Sequence, residues 1–171
     1  IPLAIELAAS RINVLQPEQL LRRLAERFNI LTHGAHDLPQ RQQTLRTTID
    51  WSYDLLNEHL RLAFACLSFF SNGFELDAAE VVLPGAVQEI DSLDAVASLA
   101  EKSMLVKRDP SSGVRFDMLE SLRMYAAQRA SELELAGRVM PAFADYYLSL
   151  SKQLAAEIEG ENQVEALSRY N

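Results

Sequence analysis

The sequence has very little cysteine. Cys66 is the only one among 171 residues, so the chain cannot form an internal disulfide. A lone free cysteine is typical of a reducing compartment, and we expect a cytoplasmic protein. Cys66 lies among Phe64, Leu67 and Phe69, and no histidine is placed by the sequence to activate it. We therefore predict a buried thiol rather than a catalytic nucleophile.

Long apolar runs are also missing from the sequence. No run approaches the ~20 residues needed to cross a bilayer, so we expect no membrane contact. Hydrophobic residues still make up 49% of the chain, which indicates a globular protein and excludes a disordered one. The chain begins at Ile1 without a methionine, in the middle of a helical pattern, and we expect it to be part of a longer protein.

The sequence contains no recognisable catalytic apparatus or metal site. It has no glycine-rich phosphate loop, so the chain alone cannot hold a nucleoside triphosphate in the usual cradle. His33 and His36 lie close together, but no cysteine or third histidine accompanies them, and a structural zinc requires four ligands. We predict no catalytic residue and no metal site, and we expect that the chain by itself is not an enzyme.

The charge is strongly negative, with a formal net charge of −8. Such a surface repels phosphate backbones and anionic lipids unless a local basic patch overrides it. The densest basic cluster is Arg22, Arg23 and Arg27. It lies on the polar face of a predicted helix at 17–28, whose apolar stripe is Leu20, Leu21, Leu24 and Phe28.

Two consecutive amphipathic helices between Thr44 and Leu67 form the predicted folding centre. Asn57 is the expected N-cap of the second helix, because its short side chain can accept from free backbone N–H groups. Phenylalanines cluster after it around the turn residues Ser71-Asn72-Gly73. The apolar side chains of the first helix recur at helical spacing and predict a buried stripe: Leu45, Ile49, Trp51, Tyr53, Leu55 and Leu56.

A short helix at 78–83 follows, and Asp77 is its expected N-cap. The next predicted helix, at 92–102, is capped by Asp91 or Ser92. Its predicted inward face consists of Leu93, Val96, Leu99 and Ala100.

Two strand-like runs, 104–107 and 114–117, flank a loop of turn residues and predict a β-hairpin. A helix at 119–135, closed by Gly137, and a helix at 139–158 complete the pattern. This order predicts a mainly α fold. We expect a helical segment, then a winged-helix domain of helices plus a two-stranded β-hairpin, then C-terminal helices.

A DNA-reading winged helix places the helix before the hairpin in the major groove and presents basic or amide side chains to the bases. Here that helix carries Asp94 and Glu101, and Lys102 at its end is its only basic residue. The cations of the hairpin are interpreted as solvated charges: Lys107, Arg108 and Arg115. We predict that this chain does not contact nucleic acid directly. A winged-helix DNA-binding module remains the alternative.

Four segments resemble NB-ARC-type STAND signalling ATPases, in the same order along nearly the whole chain. PLAIELAA at 2–9 resembles the end of the family motif GLPLAIELAA, and QTLR at 43–46 with IDWSYDLL at 49–56 is similar to QTLRATIDWSYDLL. LAEKSMLV at 99–106 looks like LVDKSLLV, and RFDMLESLRMYA at 115–126 resembles RYRMLETIREYA. Many bacterial members are ATPases fused to transcription-regulator DNA-binding domains.

The resemblance implies three parts: residues 1–35 as the end of the small helical domain, residues 40–136 as the winged-helix domain, and residues 138–171 as the start of a tetratricopeptide-like helical region. It implies that the winged helix locks a resting, ADP-bound state by contacting the protein's own N-terminal nucleotide-binding domain. It also implies that the full-length parent is an ATPase that binds ADP or ATP with magnesium, whereas no nucleotide is expected to stay tightly bound to this chain alone.

The resemblance also implies nucleotide-binding residues. They are Pro2, near the adenine, with Leu3, and the triplet Met118, Leu119 and Glu120. Many relatives have Met-His-Asp at this triplet, and the histidine meets the β-phosphate. Leu119 stands in place of that histidine and cannot donate to a phosphate.

A third hypothesis is a protein-docking adaptor. Its partner surfaces would be Tyr146 and Tyr147 and the arginine face of the helix at 17–28, with self-assembly through the C-terminal helices.

Overall fold

The computed structural model describes residues 40–87, 91–108 and 113–158. These ranges form six α-helices and one antiparallel hairpin, which confirms the predicted fold class. The predicted helical segment at 1–35 lies outside the described residues. The elements in chain order are α1 Gln40–Asp54, α2 Glu58–Leu67, α3 Leu76–Val82 with a 3₁₀ turn Leu83–Gly85, α4 Ser92–Glu101, β1 Val106–Arg108, β2 Arg115–Asp117, α5 Glu120–Glu132 and α6 Ala136–Ile158.

The core is centred on α2, as predicted. Phe64 and its neighbours on both sides, from Ala63 to Leu67, are fully buried. Asn57 caps this helix, because its Oδ1 accepts from the backbone N–H of Leu60 at 2.8 Å. The inward sides of α3, α4, α5 and the first turns of α6 close around it. Burial of this continuous apolar surface is the main source of stability in the described region.

Two predictions about the α1 stripe and the α3 cap are wrong. Leu55 is 40% exposed, because α1 ends at Asp54 and Leu55 lies in the turn after it. The cap position of α3 is Glu75, and its side chain makes no capping hydrogen bond. Asp77 lies inside the first turn instead, where a carboxylate still interacts favourably with the positive end of the helix dipole.

Asp91 is the N-cap of α4, as one of the two predicted candidates. Its Oδ1 accepts from the N–H groups of Leu93 at 2.8 Å and Asp94 at 3.2 Å. The buried residues of α4 are Ser92, Ala95, Val96 and Leu99, so the predicted inward position of Leu93 is wrong. Leu93 lies beside this stripe and is 51% exposed.

The hairpin is shorter than predicted, and it begins later. Met104 and Leu105 are buried, and their N–H groups donate to the carbonyl of Leu99. They therefore close the end of α4 and do not start a strand. The strands pair antiparallel, with Val106 opposite Asp117 and Arg108 opposite Arg115.

The hairpin is joined to the segment between α2 and α3. Phe74 and Phe116 exchange two backbone hydrogen bonds of 2.8 Å, so Phe74 extends the ladder beside β2. Gly73 makes this approach possible: its φ is +76°, and a Cβ there would lie 2.7 Å from the carbonyl oxygen of Phe116. A side chain at this position would push the two segments apart.

The turn between α5 and α6 differs from the prediction. Glu134, with φ of 52°, adopts the left-handed conformation, while Gly137 lies inside α6. Leu135 and Val139 are both fully buried and belong to the same core cluster. The proposed boundaries at 35–40 and 136–138 stay predictions.

Candidate interaction surface

The outward side of α4 is the position that DNA-reading winged helices use. We define the α4 face as Leu93, Asp94, Ala97 and Glu101, all exposed. Each residue of a helix turns by about 100°, so these four positions lie on one side, opposite the buried stripe. The helix SLDAVASLAE contains no arginine, lysine, asparagine or glutamine. The α4 face is therefore acidic and apolar, and it lacks the side chains that read base edges.

The arginines of the hairpin are engaged within the chain. Arg115 donates to Glu75 Oε1 at 3.0 Å and approaches the carbonyl oxygen of Gly73 at 3.4 Å. Arg108 pairs with Asp117 at 2.6 Å across the two strands. A phosphate would have to compete with these carboxylates for both guanidinium groups. Arg115 is therefore held by the domain, with 34% of its side chain exposed, whereas Arg108 stays solvated as interpreted, with 66% exposed.

The predicted nucleotide-binding triplet lies at the start of α5. Met118 is buried in the core, whereas Leu119 is 37% exposed at the N-cap position and provides no capping hydrogen bond. Glu120 is exposed and pairs with Arg123 at 2.7 Å. Pro2 and Leu3 lie outside the described residues. The role of all five residues in nucleotide binding stays a prediction.

The side chains of this triplet do not fit a phosphate by themselves. Leu119 has no donor, and the carboxylate of Glu120 would repel an anion. The first N–H groups of an uncapped helix are the suitable donors here, and Arg123 lies within the same turn. Any contact with a phosphate at this position would therefore depend on the backbone and on Arg123.

A polar junction joins α1 to α5. The hydroxyl of Tyr125 donates to Asp50 Oδ1 at 2.7 Å, and Arg129 donates to the same hydroxyl at 2.9 Å. The guanidinium of Arg129 also lies over the rings of Tyr53 and Tyr125. Burial, together with the hydrogen bond to Asp50, raises the pKa of Tyr125 well above its usual value. Sequence reasoning missed this junction, because nothing local relates Asp50 to a residue 75 positions later.

The cysteine prediction is confirmed. Cys66 is fully buried, and burial raises the pKa of its thiol to about 12. A thiol with such a pKa stays protonated at neutral pH and is a poor nucleophile. Within 40–87, 91–108 and 113–158, no group of three or more acidic, histidine or cysteine side chains could hold a metal ion. Across the same ranges, no helix is both long enough and apolar enough to span a membrane.

The tyrosines proposed as a docking surface are partly used by the core. Tyr146 is half-buried and packs against the core cluster. The ring of Tyr147 contacts Phe70 and Phe143, with centroids 6.4 Å and 4.8 Å away, and its side chain remains 38% exposed. Both residues therefore pack α6 against the rest of the domain.

The chain is similar to mycobacterial proteins. It is 35% identical over 164 residues to the Mycobacterium tuberculosis (strain H37Rv) protein named "Putative HTH-type transcriptional regulator Rv0890c", and this match covers 95% of the chain and 18% of that relative. The Mycobacterium bovis protein named "Putative HTH-type transcriptional regulator Mb0914c" matches to the same extent. A third relative, "Uncharacterized protein Rv0894" of Mycobacterium tuberculosis, is 34% identical over 147 residues, which are 84% of the chain and 37% of that protein.

The chain thus spans about a fifth of the length of the named regulators. No protein-family model matches it, and no solved structure matches it significantly. Two of these three relatives carry the name of a transcriptional regulator, which agrees with a winged-helix-like fold.

Proposed function

We propose that this chain is a regulatory portion of a STAND-type signalling ATPase that controls transcription, and that its winged helix contacts a protein domain instead of reading DNA. The observation that carries the proposal is the α4 face. It presents Asp94 and Glu101 beside the exposed Leu93, and both acids would be placed against phosphate in a major groove. An apolar side chain flanked by charges is suited to a protein surface.

The proposed partner is the parent's own nucleotide-binding domain, and the proposed role is autoinhibition. The motif resemblance supports this partner, and the names of the relatives support a role in transcription regulation. A domain that closes on its neighbour through one modest surface has two packings of similar free energy, so a ligand that prefers one of them shifts the population. Hydrolysis belongs to the parent in this proposal, and the present chain is not an enzyme.

ADP or ATP with magnesium, when bound by the parent, would supply the phosphate charge that distinguishes the two states. The part of this chain proposed to lie near it is the start of α5. There, the uncapped N–H groups and the guanidinium of Arg123 would favour an anion, while Leu119 would fill space beside it.

The test uses the full-length parent. The protein is purified and heat-denatured, and any released nucleotide is identified and counted. We expect about one ADP per chain, since a locked resting state retains its ligand. The variant Leu93→Asp should retain less ADP and hydrolyse ATP faster, because a buried contact between domains gains an unpaired charge.

The matched control is Leu148→Asp on α6, where the leucine is 54% exposed. It introduces the same charge on the same domain and should leave ADP retention unchanged. Equal ADP retention by both variants and the unaltered parent would contradict a lock through the α4 face.

The second candidate function is DNA binding by this winged helix, favoured by the HTH-type names of the relatives. In that case Lys107 and Arg108, both exposed on β1, would contact phosphates, and Arg108 would have to exchange its pairing with Asp117 for that contact. A titration of labelled duplex with the chain distinguishes the two functions, because loss of binding in a Lys107→Ala, Arg108→Ala double variant requires direct contact.

A further inference from the structure

Helix α6 carries an exposed leucine on the side that points away from the domain. Leu148 is 54% exposed. Val139, nine residues earlier, is fully buried in the core, and Leu150, two residues later, is half-buried. At about 100° per residue, both positions lie about 180–200° around the helix from Leu148, so Leu148 is opposite the packed side. Four small exposed residues share the side of Leu148: Pro141, Ala144, Ser151 and Ala155.

Two side chains of opposite charge flank Leu148 on the same side of the helix. Asp145 precedes it by three residues and Lys152 follows it by four, so each lies within about 60° of it around the helix. They are the only charged residues between Val139 and Leu154. Both are exposed, and neither has an ion-pair partner among the residues that the structure describes. They are about 10 Å apart along the helix axis, which is too far for them to pair with each other.

We propose that this side of α6 pairs with the same side of a second copy of the chain, with the two helices antiparallel. We call it the Leu148 face, defined by Asp145, Leu148 and Lys152. In the antiparallel orientation, Asp145 of each copy lies beside the partner's Lys152, which gives two symmetric ion pairs. In a parallel orientation the two aspartates would face each other, and so would the two lysines. The charges therefore favour one orientation of one partner.

The two ion pairs also define where the twofold axis crosses α6. The midpoint between Asp145 and Lys152 lies at Leu148 and Ser149, so the axis passes beside the exposed leucine. The charge pattern and the exposure of Leu148 are independent observations, and both identify the same point. Ala144 is small and lies one turn away, so the two helices can approach closely. Two leucines would then bury each other at the centre, with ion pairs at the rim, as in other protein interfaces.

The rest of the domain does not obstruct this pairing. Helix α6 packs against α3 and the 3₁₀ turn through its other side. The contact is only one helix wide, so we expect a weak dimer that forms at high protein concentration. The inference goes beyond the proposed function, because it involves neither a nucleotide nor the α4 face.

The first experiment measures the molecular mass of the 171-residue chain by analytical ultracentrifugation, in a concentration series from about 5 to 500 µM. We expect an equilibrium between monomer and dimer. Lys152→Asp should weaken the dimer about tenfold, because both ion pairs become pairs of carboxylates. The double variant Asp145→Lys, Lys152→Asp should restore the dimer, since each copy again offers both charges. Lys107→Asp, on the exposed strand β1, changes the net charge equally and should have little effect.

Three results of this series would overturn the inference. One is a monomer at every concentration. Another is a dimer that Lys152→Asp and Lys107→Asp weaken equally, because the effect would then come from net charge alone. The third is a weakened dimer that the double reversal does not restore, because the two charges would then not be partners.

The second experiment places a thiol beside the proposed axis. A short bismaleimide should join two chains of the Leu148→Cys variant, and Cys66 does not interfere because it is fully buried. Leu133→Cys is the control: Leu133 is 46% exposed just after α5, and this variant should remain uncoupled. Equal coupling of the two variants would indicate random collision and contradict the pairing.

The same variants identify a different occupant of the Leu148 face. A monomeric full-length parent in which the thiol of Leu148→Cys does not react would show that another part of the parent covers this face, and would refute pairing between copies. Leu148→Asp should abolish the dimer of the 171-residue chain but leave ADP retention by the parent unchanged. Failure of this inference is therefore distinguishable from failure of the proposed nucleotide lock.

Discussion

The wing and the helix before it are the two elements with which a winged helix meets DNA, and here they differ in how they use their charges. On the wing, Arg115 and Arg108 turn toward Glu75 and Asp117. On α4, Asp94 and Glu101 are exposed beside Leu93. The cations are thus used inside the domain, while the acids are presented outside. This difference teaches that a count of basic residues in a hairpin does not predict phosphate contacts.

The wing root and the α4 face also differ in how much their side chains contribute to the stability of the domain. The wing root, defined as residues 72–75 with β2, is held by backbone pairing of Phe74 with Phe116 and by Arg115. The α4 face is supported from below by the buried Val96 and Leu99, so its outward side chains contribute little to folding. Substitutions on the two surfaces should therefore have effects of different size.

The largest expected effect comes from the core beneath both surfaces. Phe64→Ala should lower the free energy of unfolding by about 3–5 kcal/mol, because the phenylalanine is fully buried and its removal leaves a cavity. Leu93→Ala, on the α4 face, should change it by less than about 0.5 kcal/mol. Urea unfolding followed by circular dichroism measures both. Similar losses would mean that the α4 face is part of the core.

The next largest expected loss of stability comes from a substitution at the wing root. Gly73→Ala should cost about 1–3 kcal/mol, since φ is +76° and the new Cβ would meet the carbonyl of Phe116. Gly137→Ala is the matched control: it lies within α6 with open space around it, and alanine favours the helix by about 0.5–1 kcal/mol. A Gly73→Ala chain as stable as the control would show that the wing is not held at Gly73.

Stability should also fall in mildly alkaline solution. The pKa of Cys66 is raised from 9.0 to about 12 by burial, so the folded state holds this proton more tightly than the unfolded state. This contribution is complete below pH 9 and is lost as the pH rises toward 12.

Cys66→Ala removes that dependence. Between pH 8 and pH 10, the variant should lose less unfolding free energy than the original chain, by about 1 kcal/mol. Below pH 10, Tyr53, Tyr125 and Tyr147 contribute little, because their ordinary pKa is 10.0 and burial raises the pKa of each in the folded state. Parallel pH profiles for the two chains would contradict the buried thiol.

The smallest expected effect is that of the ion pair between Arg115 and Glu75. Both side chains are about one-third to one-half exposed, at 34% and 46%, so solvent screens their attraction. A double-mutant cycle with alanine at both positions should give a coupling free energy below about 1 kcal/mol. A coupling several times larger would make the ion pair, and not Phe74 with Phe116, the main support of the wing.

Much of the fold could be predicted because its signals are local. The spacing of Ile49 and Tyr53, the cap at Asn57 and the turn residues around Gly73 each depend on a few neighbouring residues. The errors occur where contacts beyond the local pattern determine the position of a residue. Leu93 fits an inward pattern, yet the packing of α4 leaves it exposed. Met104 resembles a strand residue, but its backbone N–H donates to the carbonyl of Leu99 and closes the end of α4.

The candidate site was less predictable for the same reason. The acidic composition of α4 could be predicted, because it depends only on where the helix begins and ends. The pairing of Arg115 with Glu75 and of Tyr125 with Asp50 was not, because those residues are 40 and 75 positions apart. A single sequence offers no signal that joins such pairs.

The most direct test of the central claim is a titration of fluorescently labelled random duplex with the 171-residue chain at low salt, followed by anisotropy. We predict no saturable binding by the unaltered chain, and a gain of salt-sensitive binding by the double variant Asp94→Lys, Glu101→Lys, in which the α4 face becomes basic. Saturable binding by the unaltered chain that disappears with Lys107→Ala and Arg108→Ala would contradict the account and establish the wing as a DNA contact.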